Sequence, residues 1–404
     1  MPIFLYSFRK YLFGSFLLIS ILSFSQNTEK KRVKDTLSNT LANDLKVKAL
    51  GDSLQNAIIN YESEKFLTYF SNEEFIERLK KLNTDADYED NFVKGLLSGV
   101  LKGFNAFPNR IISELKADGY YDFVNYRYDE YEQTYFILFR LYSQSGLNYH
   151  DYRIRKNPDT GDFEFTDIYI YLTGEDFSQT LGRIITFTMN SSNSKGKTLK
   201  GFQDFMQLEK AIKANQVGNP QRGYYIMEKI KGDISKDKFF LILKSMMAAN
   251  LGDEEYLKSL EELFAIHGDD PTIFLNKIDY YLLKGMNYEA VECVEKLKKI
   301  TEDDFLNYSK ANIAYMDENY QVALDNYKYI VDNYEGFFDA QSSYLAILTV
   351  LNRNDEAIDY LNTLVEEYDK EDLIEYLEEL DENNENVFED FIKTEAYKTW
   401  KTAE

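Results

Sequence analysis

The feature that most constrains this chain is a spacing. Ala290, Ala323 and Ala357 recur 33 and 34 residues apart (323 − 290 and 357 − 323). Each follows a short polar turn: Gly285–Glu289, Asp317–Tyr320 and Asn352–Glu356. Apolar residues stand four and seven positions after each alanine: Val294 and Leu297, Tyr327 and Ile330, Leu361 and Leu364. A small residue lets two helices cross closely, and positions +4 and +7 share its face, so the pattern predicts stacked antiparallel helix pairs. One such pair cannot bury its own apolar face, which forces neighbouring pairs to cover one another.

In period, in the alanine of the second helix and in Tyr320-x-x-Ala323, this region resembles the tetratricopeptide repeat family. Stepping back by 33 lands on Leu257 and Tyr224, which extends the array to about five hairpins over 201–368. The proline that closes the family's repeat is absent, as is most of its first-helix signature. The resemblance implies a groove for a peptide or protein partner. By position on the first helices, its contact residues are Asn276, Tyr280, Asn307, Lys310, Asn312 and Ser342. Residues 369–404 read as acidic capping helices that shield the last pair.

Upstream the period changes. Helical spacing governs Leu45, Leu50, Leu54, Ile58 and Tyr61, then Lys65–Leu82, then Glu89–Lys116, where Phe92, Leu96, Leu97, Val100, Leu101 and Phe104 share a face and Pro108 interrupts. From Gly119 the chain turns rich in Tyr, Phe, Ile and Val, and four strands are predicted: Tyr120–Tyr128, Tyr131–Tyr142, Leu147–Lys156 and Asp162–Leu172. Asp129-Glu130, Ser143–Gly146 and Asn157–Gly161 supply hairpin turns between them. The fold class is therefore an α+β domain, helices on a four-stranded antiparallel sheet, over 44–190, followed by an all-α helical-hairpin solenoid. A polar linker spans 191–200. Its Gly196-Lys197-Thr198 lacks the preceding glycine of a phosphate-binding loop, because Ser191 stands there.

The segment Gly146–Asp151, with Asp167-Ile168-Tyr169 and Thr173-Gly174-Glu175, also resembles the sheet of cystatin-like and NTF2-like domains. That resemblance implies a sheet cavity able to hold a small molecule or to host catalysis. The whole arrangement is similar to secreted repeat proteins of Bacteroidota type. Arg9 and Lys10, the apolar run Tyr11–Phe24 and Ser23-Phe24-Ser25 form a secretory signal over 1–25, with a polar segment over 26–43. The run of 14 is short of the roughly 20 residues that span a bilayer. The expected location is periplasmic or extracellular, and no cysteine stands near the cleavage point for lipid attachment.

Composition trims the chemistry. One cysteine, Cys293, excludes an internal disulfide, and two histidines, His150 and His267, leave too few ligands for a Cys/His zinc site. The net charge is −23, and Thr301–Glu404 holds 27 acidic against 7 basic residues. Such a surface repels nucleic acid; it fits basic proteins or peptides, or simple solubility, and solubility is the plainer reading. Glu366–Asp390 is acidic but has no glycine to shape a calcium loop, and its apolar spacing reads as a solvated helix face.

Alternation places Tyr149, Asp151, Arg153 and Arg155 with Phe165, Asp167, Tyr169 and Tyr171 on one side of strands three and four. Rings beside carboxylates and guanidinium groups suit a small-ligand site; the competing reading is a set of cross-strand pairs that needs no ligand. His150-Asp151 makes a poor acid–base dyad, since neighbours on a strand point to opposite faces. The function that follows is a non-enzymatic interaction scaffold, without metal or cofactor. Its alternative is a small-ligand or enzymatic N-terminal module docked by the repeats.

Overall fold

The computed structural model describes residues 37–82, 87–192, 198–231, 233–380 and 385–403. The signal at 1–25, most of the polar segment and the centre of the linker with Gly196 and Lys197 lie outside them. Among the described residues no helix is long and apolar enough to cross a membrane. The chain forms two compact units, divided after Leu283.

The first unit begins with five helices: α1 (Leu41–Ile59), α2 (Ser63–Thr68), α3 (Asn72–Leu82), α4 (Asn91–Phe104) and α5 (Phe107–Leu115). Thr40 caps α1 by accepting from the backbone N–H of Asn43. Leu50, Leu54 and Ile58 are buried as the spacing predicts, whereas Leu45 and Tyr61 are exposed. Gly51 lets α1 close on the sheet, because a Cβ there would meet the Phe123 ring at 2.8 Å. Pro108 lies in the first turn of α5, so it opens a new helix where its missing N–H costs nothing.

The strands are β1 (Tyr120–Asp129), β2 (Thr134–Ser143), β3 (Gly146–Lys156), β4 (Phe163–Ile170) and the two-residue β5 (Glu175–Asp176), antiparallel in sequence order. The four predicted strands are present, and β5 is a fifth the sequence did not announce. The second begins at Thr134 rather than Tyr131, since Tyr131 and Glu132 instead donate their N–H groups to the Asp129 carboxylate in the turn.

Helices α1–α5 meet the sheet through a layer of rings. Phe165 lies 5.5 Å from Phe66, 5.1 Å from Phe70 and 5.0 Å from Tyr152, centroid to centroid. The same apolar core continues through α6 (Phe177–Ser192), α7 (Thr198–Gln216), α8 (Pro220–Met227), α9 (Lys238–Ala248), α10 (Asp253–His267) and Ile273, just ahead of α11 (Phe274–Leu283). The helices after the predicted linker thus share the sheet's core. Lys238 ties them to it, its Nζ donating to the Gly174 carbonyl, Asp270 and Thr272. Asp270 closes a turn by accepting from the Thr272 N–H, and α11 starts at Phe274.

The second unit contains α12 (Asn287–Thr301), α13 (Leu306–Met316), α14 (Tyr320–Asn333), α15 (Phe338–Val350), α16 (Asn354–Leu364), α17 (Lys370–Glu378), α18 (Glu389–Ile392) and α19 (Glu395–Thr402). Ala290, Ala323 and Ala357 have no exposed surface, and the residues four and seven positions later are buried with them. The turns repeat as closely as the alanines. Gly285, Glu318 and Asn352, each five residues before its alanine, all adopt left-handed backbone (φ 69°, 58° and 57°). The Asn319 and Arg353 N–H groups reach back to the Ala314 and Leu348 carbonyls, and those of Glu318 and Asn352 to Tyr315 and Thr349. This double bond pattern satisfies carbonyls that a helix end leaves orphaned and fixes the direction of the next helix. The array ends on Trp400, whose indole N–H donates to Asn362 while Lys370 covers its ring.

Candidate functional site

The residues expected to form a polar-aromatic face on the sheet lie in register. Asp151 pairs with Tyr169 and Arg153 with Asp167; then an irregularity between Arg153 and Ile154 sets Ile154 opposite Phe165. That slip corrects one expectation. Phe165 leaves the polar set and enters the ring layer facing the helices, because shifting the register by one residue exchanges strand faces.

What remains together is a compact cluster, buried apart from Arg127 and part of Tyr169. The Arg127 guanidinium grips the Asp151 carboxylate with two bonds, 2.9 and 2.5 Å, and Arg153 pairs with Glu132. Arg127 and Arg153 stand over the same Phe136 ring at 4.7 and 5.4 Å, as the register dictates, since Phe136 lies across from both. Tyr171 packs on Tyr149 at 5.5 Å and on Tyr169 at 5.1 Å. Burial drives the Tyr169 and Tyr171 hydroxyls far above the ordinary tyrosine range, so both stay protonated. Asp167 is not part of this cluster. Its carboxylate accepts from Arg78 at 2.7 Å and from the Ser178 N–H and hydroxyl. Arg155 pairs with Glu74 of α3.

Sequence reading named Asp151 and Arg153 but missed Arg127, Glu132 and Phe136. The signal was present once the hairpin turns were fixed, because counting back from each turn aligns Arg127, Phe136 and Arg153 across three strands. Arg127→Ala should lower unfolding free energy by roughly 2–3 kcal/mol, less than for a fully buried pair because the Arg127 side chain is 46% exposed. Denaturant unfolding that changed by less than a few tenths of a kcal/mol would show that the pair contributes nothing.

His150 and Asp151 diverge as strand neighbours must. The imidazole is fully buried, its Nδ1 3.1 Å from the Tyr121 hydroxyl and its Nε2 3.2 Å from the Asn148 amide nitrogen. The Asn148 amide can only donate, so the ring proton resides on Nδ1 and is given to Tyr121. The Tyr121 hydroxyl lies 2.6 Å from that of Tyr152. Burial pushes the His150 pKa down to about 3, which keeps the ring neutral near neutral pH.

Four of the residues expected to line a partner groove make polar contacts within the fold. Asn307 accepts from Lys298 at 2.9 Å, Lys310 pairs with Glu295 at 2.5 Å, Asn312 accepts from Tyr327 at 2.7 Å, and Ser342 meets the Tyr376 hydroxyl. Asn276 and Tyr280 belong to the first unit; Asn276 is buried, and the Tyr280 ring packs on Phe264 at 4.8 Å. Buried Cys293 follows Ala290 on α12.

A different set stays outward. Two residues after each alanine stand Glu292, Asp325 and Asp359, all exposed, on α12, α14 and α16. The repeat that buries the alanines thus writes a carboxylate onto the outer side of every second helix. The period carried this row as plainly as it carried the alanines. No family model, curated protein or solved structure matches the chain.

Proposed function

We propose that the chain is a non-enzymatic binding scaffold, exported to the periplasm or cell exterior, whose helix pairs act as tetratricopeptide-like repeats for a basic peptide or protein. The observation that supports this reading is the acidic row Glu292, Asp325 and Asp359 at the same place in successive pairs. Charges at regular intervals favour an extended partner whose basic groups recur in step. The first-helix residues serve this reading as struts. Lys298, Glu295 and Tyr327 take up the polar groups of Asn307, Lys310 and Asn312, which holds each helix at a fixed angle to its neighbour.

The test is a comparison at equal charge. Full chain carrying Glu292→Lys, Asp325→Lys and Asp359→Lys is set against full chain carrying Glu371→Lys, Asp372→Lys and Glu375→Lys, also exposed positions of the second unit. The probe is a labelled peptide of alternating lysine and alanine, followed by fluorescence anisotropy. Three exposed pairs at roughly 0.2–1 kcal/mol each imply a loss of about threefold to a hundredfold for the first triple. The second triple should lose less than about twofold. Equal losses would reduce the acidity to a diffuse field and end the assignment.

A further inference from the structure

The first unit carries a second feature, independent of the scaffold reading. Between α3 and α4 lies an open cleft of about 500 Å³, within the roughly 300–1,000 Å³ typical of small-molecule sites. Two helical stripes line it. From α3 come Asn72, Ile76 and Lys80, one turn apart; from α4 come Lys94, Leu97, Ser98, Leu101 and Lys102, and Asn105 follows in the turn after it. Tyr88 and Glu89 close one end. The floor is apolar, since Ile76, Leu101 and Tyr88 rest on the core and Leu97 belongs to it.

The polar groups divide between the ends. At the Tyr88 end, Lys94 pairs with Glu89 at 2.7 Å and Lys80 with Glu77 at 2.8 Å, so the charges there are matched. Lys102 lies eight residues beyond Lys94, about 12 Å along the helix axis. It makes no ion pair among the described residues and shares the lining with the amides of Asn72 and Asn105. In a chain of net charge −23, this cleft presents three lysines against one glutamate.

We propose that the cleft binds an amphipathic monocarboxylate, such as a medium-chain fatty acid. Its carboxylate accepts from Lys102, with Asn72 and Asn105 beside it, and its hydrocarbon lies along Leu101, Leu97 and Ile76 toward the Tyr88 ring. An apolar bed explains the tail, and an ammonium with no ion pair among the described residues explains the sign and position of the head. A cationic amphiphile would have to set its charge against Lys102.

The experiment is calorimetric titration of the full chain with decanoate, below its micellar range, beside decylamine and two variants. Wild type should bind decanoate saturably with a stoichiometry near one, and bind decylamine at least about tenfold more weakly. Lys102→Glu, an exposed change, should weaken decanoate by about tenfold, because attraction becomes repulsion. Ser98→Trp, also at an exposed position, fills the cleft without entering the core and should abolish binding of both. Circular dichroism matching wild type accompanies each variant. Absence of saturable decanoate binding, equal affinity for decylamine, or full affinity in either variant would each overturn the proposal.

Discussion

Replacing Phe165 with alanine should cost the first unit about 3–5 kcal/mol of unfolding free energy, the range for deleting a fully buried aromatic ring. Phe165 has no exposed surface and touches Phe66 of α2, Phe70, Phe104 of α4 and Tyr152 of β3. Its backbone joins the helices to the sheet as well: its N–H donates to the Tyr69 carbonyl and its carbonyl accepts from the Ser71 N–H. Removing the ring opens a cavity at the point where the three layers of contact converge. Glu164→Ala, one residue away, provides the control and should change stability by less than about 0.5 kcal/mol. Similar losses for the two variants in urea unfolding would mean that the ring layer does not hold helices to sheet.

The second large effect is a pH dependence carried by His150. Its folded pKa, about 3, lies below the ordinary histidine value of 6.5. A depressed folded value means that the unfolded chain takes up the proton first. The stabilisation is therefore complete above pH 6.5 and drains away as pH falls toward 3. Between about pH 7 and about pH 4.5 the loss amounts to roughly 2–3 kcal/mol. Buried carboxyls oppose it. Asp237 is pushed up to about 7 and Asp279 to about 6, chiefly by burial, so each stabilises at low pH and loses that contribution as pH rises through those values. The wild-type curve sums these with every other shifted carboxyl, and His150→Gln isolates one contribution. The variant should be less stable near pH 7, and the gap should close or reverse near pH 4.5. A gap of constant size would mean that His150 does not titrate across unfolding.

These two residues also mark how far the sequence could be read. Periodicity located the change from helix to strand near Gly119 and the four long strands, because the turns Asp129-Glu130, Ser143–Gly146 and Asn157–Gly161 bracket them in the chain itself. It likewise separated His150 from Asp151. Uniform alternation misplaced Phe165, since the slip beyond Arg153 lies in how β3 and β4 pair, information that no local pattern holds. β5 escaped notice because two residues leave no period. The helices after residue 198 read as repeats by spacing, yet Leu208, Phe240 and Leu263 were drawn into the sheet's core by what lay beside them in space. In the second unit the alanines and the outward carboxylates were both legible. The polar residues of the first helices were not, because an asparagine that steadies its neighbour and one that awaits a ligand look alike in a sequence.

Because the left-handed residues Glu318 and Asn352 set the same corner twice, the second unit has a built-in unit of growth. An insert of 34 residues (352 − 318) introduced at one such corner would meet an existing seat on either side and return the chain to its original heading. Only the Trp400 closure at the far end is made to measure. Length in this part of the molecule can therefore drift by whole copies while both extremities stay as they are. The number of outward carboxylates, and with it the stretch of partner the row can span, would rise or fall one step at a time.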